Sequence, residues 1–203
     1  MIVIVDYGMG NLASIKNMLH RIGYDDVAIS GEAKDISCAA KLILPGVGAF
    51  DQGMKNLSEK GLADAIREAV LERGKPILGI CLGMQLLGRS SEEGEGPGLG
   101  LLPFDTVRFR LGDEYKIPHM GWNEIKIKNE TPLTDGMAEE VQRFYFVHSY
   151  HAVCDDDKTV MMTCDYGYDF AAAVYSEHIY GVQFHPEKSH RFGMRLLENY
   201  ARL

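Results

Sequence analysis

The sequence lacks any hydrophobic stretch long enough to cross a membrane. Its longest uncharged run, residues 76–88, has 13 residues and includes three glycines, whereas a spanning helix needs about 20 apolar residues. No basic leader precedes Asp6, so we expect a cytoplasmic protein without a secretory signal or membrane contact. Basic residues are also scarce, since 21 Lys and Arg stand against 29 Asp and Glu, a formal charge of −8. This balance argues against nucleic acid as a partner, because phosphate contacts need clustered basic side chains.

Cysteine is rare, and its spacing excludes two classes of site. None of the four cysteines forms a C-x-x-C pair, so we expect neither a thiol-held metal nor a secreted disulfide framework. Most histidines stand alone, without the helical spacing of a metal pair, and no cofactor is predicted. Glycine is the residue in excess, at 22 of 203, or about 11% against a usual value near 7%.

The first half of the chain alternates strand-like runs with amphipathic helical stripes. The strand-like runs are 2–5, 27–29, 42–44 and 77–80, and the helical stripes are 12–22, 62–70 and a segment starting at residue 84. This alternation predicts a parallel sheet covered by helices on both faces. Ligands of such sheets bind beyond the carboxyl ends of the strands, which makes the loops there candidate sites.

The second half changes character after a loop rich in Gly and Glu at residues 92–100. Strand propensity follows at 106–109, 122–127, 144–147 and 179–184, and a closing helix is predicted over 190–203. No stretch is long enough to be a linker between domains. We therefore predict one α/β domain over residues 1–203, with a mixed, mostly parallel sheet flanked by helices.

One cysteine lies between two glycines where a strand gives way to a helix. Gly79, Cys81 and Gly83 form a G-x-C-x-G pattern, which is the form of a nucleophile elbow with cysteine in the place of serine. The helix start favours the thiolate form of the sulfur through the helix dipole. A free cysteine is more often an inert buried residue, but the flanking glycines favour a nucleophile.

Two further segments complete a hydrolytic site. His185 and Glu187 are two residues apart at a predicted strand end, so both side chains would leave on one face. The carboxylate would hold Nδ1–H of the imidazole and leave Nε2 for the thiol of Cys81, as in a Cys-His-Glu triad. Residues 45–48 read Pro-Gly-Val-Gly and would aim backbone N–H groups at an oxyanion, although they could equally form an ordinary turn.

A competing interpretation comes from the first loop. Residues 8–13 satisfy G-x-G-x-x-A and Glu32 follows near the second strand, a pattern of dinucleotide-binding oxidoreductases. Asp6 and Tyr7 separate the strand from these glycines, which weakens the match. A peptidase or chaperone with a cysteine elbow, and an inactive interaction subunit, are further alternatives.

Six motifs in order make the chain resemble the class I glutamine amidotransferases. They are DYGMGN (6–11), LPGVGAF (44–50), GICLGMQ (79–85), HMGWNE (119–124), FVHSY (146–150) and GVQFHPEKS (181–189). GICLG and HPE are shared by sibling amidotransferases, whereas PGVGAF, HMGWN and Lys188 are typical of one branch. That branch supplies ammonia from glutamine to a cyclase subunit, a (β/α)₈ barrel, in histidine biosynthesis, which implies a heterodimer.

The resemblance implies a role for each matching position. It gives Cys81 as nucleophile, His185 as acid and base, and Glu187 as the group that orients the imidazole. It gives Val47 and Leu82 as oxyanion donors, Gly48, Gln85, Ser149 and Tyr150 as glutamine-binding residues, and Asn11, Trp122, Tyr145 and Lys188 as the partner interface. Ser149 stands where threonine is expected, which keeps the hydroxyl.

Overall fold

The computed structural model describes residues 1–203, and its twelve strands form one sheet. The strands are β1 (Ile2–Val5), β2 (Val27–Ser30), β3 (Lys41–Gly46), β4 (Ile77–Cys81), β5 (Ser90–Ser91), β6 (Phe104–Arg108), β7 (His119–Ile127), β8 (Gln142–His148), β9 (Tyr150–Cys154), β10 (Val160–Asp165), β11 (Asp169–Ser176) and β12 (Ile179–Val182). The helices are α1 (Leu12–Arg21), α2 (Ala33–Cys38), α3 (Phe50–Glu59), α4 (Leu62–Arg67), α5 (Leu82–Leu87) and α6 (His190–Arg202). None of these helices has the length and apolar character needed to span a bilayer.

Five strands form the parallel part of the sheet, in the order β2-β1-β3-β4-β12. Every residue of β1, β4 and β12 is buried, as expected for strands covered on both faces. The side chains of β1 alternate between two hydrophobic layers, since Val3 and Val5 join one core and Ile2 and Ile4 join the other. This alternation follows from the two-residue period of a strand.

From β12 the sheet continues antiparallel through β11, β10 and β7 to β8. A branch leaves β11 through β9 and β6, both antiparallel pairings, and ends with β5, which pairs parallel with β6. The single-domain α/β fold with a mixed, helix-flanked sheet is confirmed. Antiparallel pairings are, however, more numerous than a mostly parallel sheet would have. The physical reason is that the second half has few helices between its strands, and strands joined by short turns pair antiparallel.

The centre of the sheet brings two distant segments together. β4 and β12 are parallel neighbours, with Ile80 opposite Val182, so Cys81 and Gln183 follow at the same edge. β3 lies on the other side of β4, with Gly46 opposite Cys81. Three chain segments therefore end beside one another at this edge of the sheet.

Candidate active site

Cys81 occupies a sharp corner between β4 and α5. Its backbone has φ 56° and ψ −112°, in the left-handed half of conformational space that residues with a Cβ rarely adopt. Gly83 makes the corner possible, because a Cβ there would collide with the carbonyl oxygen of Leu44 on β3. A Cβ on Gly79 would lie 2.7 Å from the carbonyl oxygen of Gly83. The two glycines of the G-x-C-x-G pattern are thus required by close backbone contact around the sulfur.

The chain that follows β3 runs beside this corner. Gly48 has φ 118°, a conformation that favours glycine, and Val47 is exposed. The hydroxyl of buried Tyr7 donates to the carbonyl oxygen of Pro45 at 2.7 Å, which fixes the segment from below. A Cβ on Gly46 would collide with that hydroxyl. Contacts with Tyr7 therefore hold the start of the Pro-Gly-Val-Gly segment, Pro45 and Gly46, in place beside the corner at Cys81.

His185 and Glu187 form a buried pair at the same edge. Nδ1 of the imidazole lies 2.8 Å from Oε1 of the carboxylate, and the side chains are 2% and 1% exposed. The contact is made by a 3-10 turn at Pro186–Lys188 rather than by strand alternation, since β12 already ends at Val182. The prediction that a strand places the two side chains on one face was therefore wrong. Proline at the start of the turn pre-sets its backbone.

The imidazole of His185 is strongly coupled to the sulfur. Burial lowers the pKa of His185, but contacts with Cys81 and Glu187 outweigh burial and raise it from 6.5 to about 9. Because Glu187 occupies Nδ1, the coupling to Cys81 acts through Nε2, which is buried and has no hydrogen-bond partner. The ring is thus protonated at neutral pH when the sulfur is a thiolate. Such an ion pair supplies both a nucleophile and a proton donor.

A cavity of about 300 Å³ opens beside the sulfur, at the small end of the usual range of ligand pockets. The sequence-predicted residues that line it are Val47, Gly48, Cys81, Leu82, Gln85, Ser149 and Tyr150. The residues that sequence reasoning missed are Glu93, Pro118, Val147 and His148. Glu93 is notable as a carboxylate, with Oε2 accepting from the backbone N–H of Phe50 at 2.9 Å. Its only sequence signal was its place in the Gly- and Glu-rich loop.

The residues predicted to meet a partner cluster away from the cavity. Trp122 is 47% exposed, and its ring stacks on His190 at 5.4 Å and meets Tyr145 edge-on at 6.3 Å. The ammonium of Lys188 lies 5.6 Å from the centre of the Tyr145 ring. Asn11 stands at the N-cap of α1, which packs against the turn that carries Lys188.

The second glycine of the first loop, Gly10, has a packing role that does not involve a nucleotide. A Cβ on Gly10 would lie 3.1 Å from Cβ of Pro45, so this glycine lets the loop approach the Pro-Gly-Val-Gly segment. Nowhere do three or more His, Cys, Asp or Glu side chains meet in a group that could hold a metal ion.

Comparisons with known proteins agree on one family. The model of the family "Glutamine amidotransferase class-I" matches residues 3–202. The HisH 2 subunit of imidazole glycerol phosphate synthase from Methanococcus maripaludis is 54% identical, with 100% of this chain and 99% of the relative covered. Its counterpart from Pseudomonas aeruginosa is 51% identical, with full coverage of both chains.

Solved structures show the same fold at low identity. A chain of PurLQS from Thermotoga maritima superposes with a TM-score of 0.77 at 22% identity, covering 99% of this chain and 97% of that one. The chain therefore belongs to the class-I glutamine amidotransferase family and is similar over its full length to the HisH subunits of imidazole glycerol phosphate synthase.

Proposed function

We propose that this chain is the glutaminase subunit of an imidazole glycerol phosphate synthase. It hydrolyses glutamine to glutamate and ammonia. A cyclase subunit then uses the ammonia to make imidazole glycerol phosphate and an aminoimidazole carboxamide ribonucleotide in histidine biosynthesis. The observation that carries the proposal is the buried His185–Glu187 pair coupled to Cys81 beside a small cavity. Full-length similarity to HisH subunits supports this choice of enzyme.

The first half of the reaction is acyl transfer to sulfur. The Cys81 thiolate attacks the carboxamide carbon of glutamine, and the C–N bond breaks after a tetrahedral oxyanion has formed. The backbone N–H groups of Leu82 and Val47 are our candidates to bind this oxyanion. Protonated His185 gives its proton to the departing nitrogen, so that neutral ammonia leaves.

The second half regenerates the enzyme. Neutral His185 takes a proton from water, and the resulting hydroxide attacks the thioester and releases glutamate. Glu187 holds Nδ1–H of the ring throughout, which fixes the orientation of Nε2 towards the sulfur. Loss of one oxyanion donor would slow the reaction by about 10²–10³. A rotation of the backbone at Val47–Gly48 that turns the donor N–H group towards the oxyanion is therefore sufficient to activate glutamine hydrolysis, and we propose that the docked partner controls this rotation.

Covalent labelling by an electrophilic glutamine analogue tests the function directly. We expect stoichiometric modification of Cys81, located by peptide mass spectrometry, and protection by excess glutamine. Modification of His185→Ala should be much slower, because the thiolate loses its counter-ion. A protein that bound a dinucleotide instead, or that reacted equally with peptide-like electrophiles, would contradict the proposal.

The partner of this subunit is proposed to be a cyclase with a (β/α)₈ barrel, joined as a heterodimer. Ammonia released into water would be protonated and lost, so the product is useful only when it passes directly to a docked synthase. Exposed Trp122 and Lys188, which both contact half-buried Tyr145, support this face, together with Asn11, as the docking surface.

Replacement of Lys188 by alanine tests this docking surface. We expect weaker binding to the cyclase, by about tenfold or more, because an exposed cation held beside an aromatic ring is available to pair with a partner carboxylate. Binding is measured by titration calorimetry, and uncoupled reactivity of Cys81 should be unchanged. Lys158→Ala is the matched control, since Lys158 is exposed on a distant turn. Equal affinities for the two variants would refute the assignment.

A further inference from the structure

A line of buried side-chain amides connects the backbone of β9 to the sulfur of Cys81. Nε2 of Gln85 lies 3.4 Å from the carbonyl oxygen of Tyr150 and 3.0 Å from Oε1 of Gln183. Nε2 of Gln183 in turn lies 3.8 Å from Sγ of Cys81, within reach of a hydrogen bond to sulfur. Gln85 is 5% exposed and Gln183 is fully buried, so water does not compete for these contacts.

The donor and acceptor atoms in this chain of hydrogen bonds follow from the backbone carbonyl of Tyr150. A backbone carbonyl can only accept, so the atom of Gln85 that faces Tyr150 is the NH₂ group. The same NH₂ group contacts Gln183, whose facing atom must then be the carbonyl oxygen Oε1. The NH₂ group of Gln183 is left on the side of Cys81. The orientation of both amides is thus set by hydrogen-bond logic rather than by an arbitrary choice of rotamer.

The carbonyl that starts the line is held from a second side. Nδ1 of His148 lies 2.7 Å from the same oxygen of Tyr150, so Nε2 of His148 is the accepting atom for Nδ1–H of His119 at 3.0 Å. Burial lowers the pKa of both rings, to about 3 for His148 and about 4 for His119. Both imidazoles are therefore neutral at pH 7, and their tautomers are fixed by the contacts. The Tyr150 oxygen therefore accepts from two donors, Nδ1–H of His148 and the NH₂ group of Gln85.

We propose that Gln183 is a further catalytic residue, whose side-chain N–H group hydrogen bonds to Sγ of Cys81 and stabilises its thiolate. Gln85 acts through Gln183 as a positioning residue. The proposal rests on the function above only in taking Cys81 as the nucleophile. A thiolate accepts hydrogen bonds strongly because it is charged, whereas the tetrahedral adduct and the thioester carry no charge on sulfur. The bond therefore favours the thiolate over the thiol before the attack and is given up as the C–S bond forms.

The backbone supports this role of Gln183. Its N–H donates to the carbonyl oxygen of Ala172 on β11 at 2.8 Å, so the residue is anchored where β12 ends. The titratable groups coupled to the sulfur are His185 and Tyr7, whereas the side-chain amide of Gln183 hydrogen bonds to Gln85 and Cys81. Loss of a hydrogen bond to a charged group typically lowers the corresponding rate by about 10- to 100-fold.

Thiol reactivity measures this bond without any assumption about the substrate. The probe is iodoacetamide, a neutral alkylating agent, and the rate at Cys81 is followed by peptide mass spectrometry between pH 5 and 10. The parent for every variant carries Cys38→Ser, since Cys38 is the exposed free cysteine. The variants are Gln183→Leu and the isosteric Gln183→Glu, which retains the volume of the side chain. Gln142→Leu is the matched control, because Gln142 at the start of β8 is also buried and donates to the backbone carbonyls of Met137 and Glu140.

We expect alkylation of Cys81 at pH 7 to slow by about 10- to 100-fold in both Gln183 variants, with rates that converge on the parent at high pH. Gln142→Leu should leave the profile within twofold of the parent. An unchanged profile in either folded Gln183 variant would overturn the proposal. Glutaminase activity of the parent is assayed separately, so that an inactive parent counts against the proposed function and not against this bond.

Discussion

Replacement of Cys81 by alanine should abolish glutamine-dependent synthesis by the complex with its cyclase, by more than about 10⁴-fold, because no other thiol lines the cavity. Added ammonium salts should still support synthesis at the rate of the parent complex. The side chain is small and buried, so its removal leaves the core and the docking surface in place. The two rates are measured on the same preparation with glutamine or ammonium chloride as nitrogen donor.

The matched control for that experiment is Cys38→Ala, which removes an exposed thiol at the end of α2. It should leave both rates at the parental value. Loss of the ammonium-dependent rate in Cys81→Ala would mean that the chain does more than supply ammonia. A glutamine-dependent rate that survives would exclude Cys81 as the nucleophile.

Gly83→Ala should lower the free energy of unfolding by at least about 3 kcal/mol and inactivate the enzyme. The added methyl group would collide with the carbonyl oxygen of Leu44, which is backbone in the middle of the sheet and cannot turn away. β3 and α5 must then separate, which costs more than ordinary overpacking of side chains. Because α5 starts directly after Cys81, the same shift would move the sulfur away from His185. Urea denaturation followed by circular dichroism measures the loss of stability.

Gly96→Ala is the matched control for this substitution. A Cβ at Gly96 would meet only Oδ1 of Asp51, at 3.6 Å, which is an ordinary contact. Its midpoint of urea denaturation should stay close to that of the parent. A Gly83→Ala protein with parental stability would show that the close approach of α5 to β3 is not required for the fold.

The parallel half of the sheet could be predicted from the sequence because its signals are local. Each of its first four strands is a short apolar run followed by a glycine or a helical stripe, so its type does not depend on distant partners. The helix α3 was missed although Phe50, Met54 and Leu57 form its buried stripe. Gly53 interrupts that stripe, and only the structure shows why, since a Cβ there would press on Leu86 of α5 at 3.2 Å.

The strands β9, β10 and β11 were also missed. They occur in a region with polar and small residues, where the pairing partner rather than the intrinsic propensity decides the structure. In β11, for example, three consecutive alanines are buried, and alanine carries little strand preference of its own. Tertiary packing, rather than the local sequence, therefore determines that these residues form strands.

In the candidate site, too, some residues could be predicted from local sequence motifs and others could not. Motifs place Cys81, His185 and the glycine-rich segment, because each needs a specific residue type at a specific spacing. The contributions of Glu93 and Gln183 depend on which side chains meet across the sheet, and no spacing along the chain encodes that. Gln183 lies inside the GVQFHPEKS motif, but only the fold places its side-chain amide between Gln85 and Cys81.

The corner at Cys81 sets stability against activity at a single position. Its left-handed backbone carries a penalty of about 1–3 kcal/mol for any residue other than glycine. Selection for thermal robustness alone would favour glycine there, and only the need for a sulfur retains cysteine. A homologue that no longer needs a nucleophile would gain stability by replacing this cysteine with glycine. The residue at this corner therefore distinguishes active from inactive homologues.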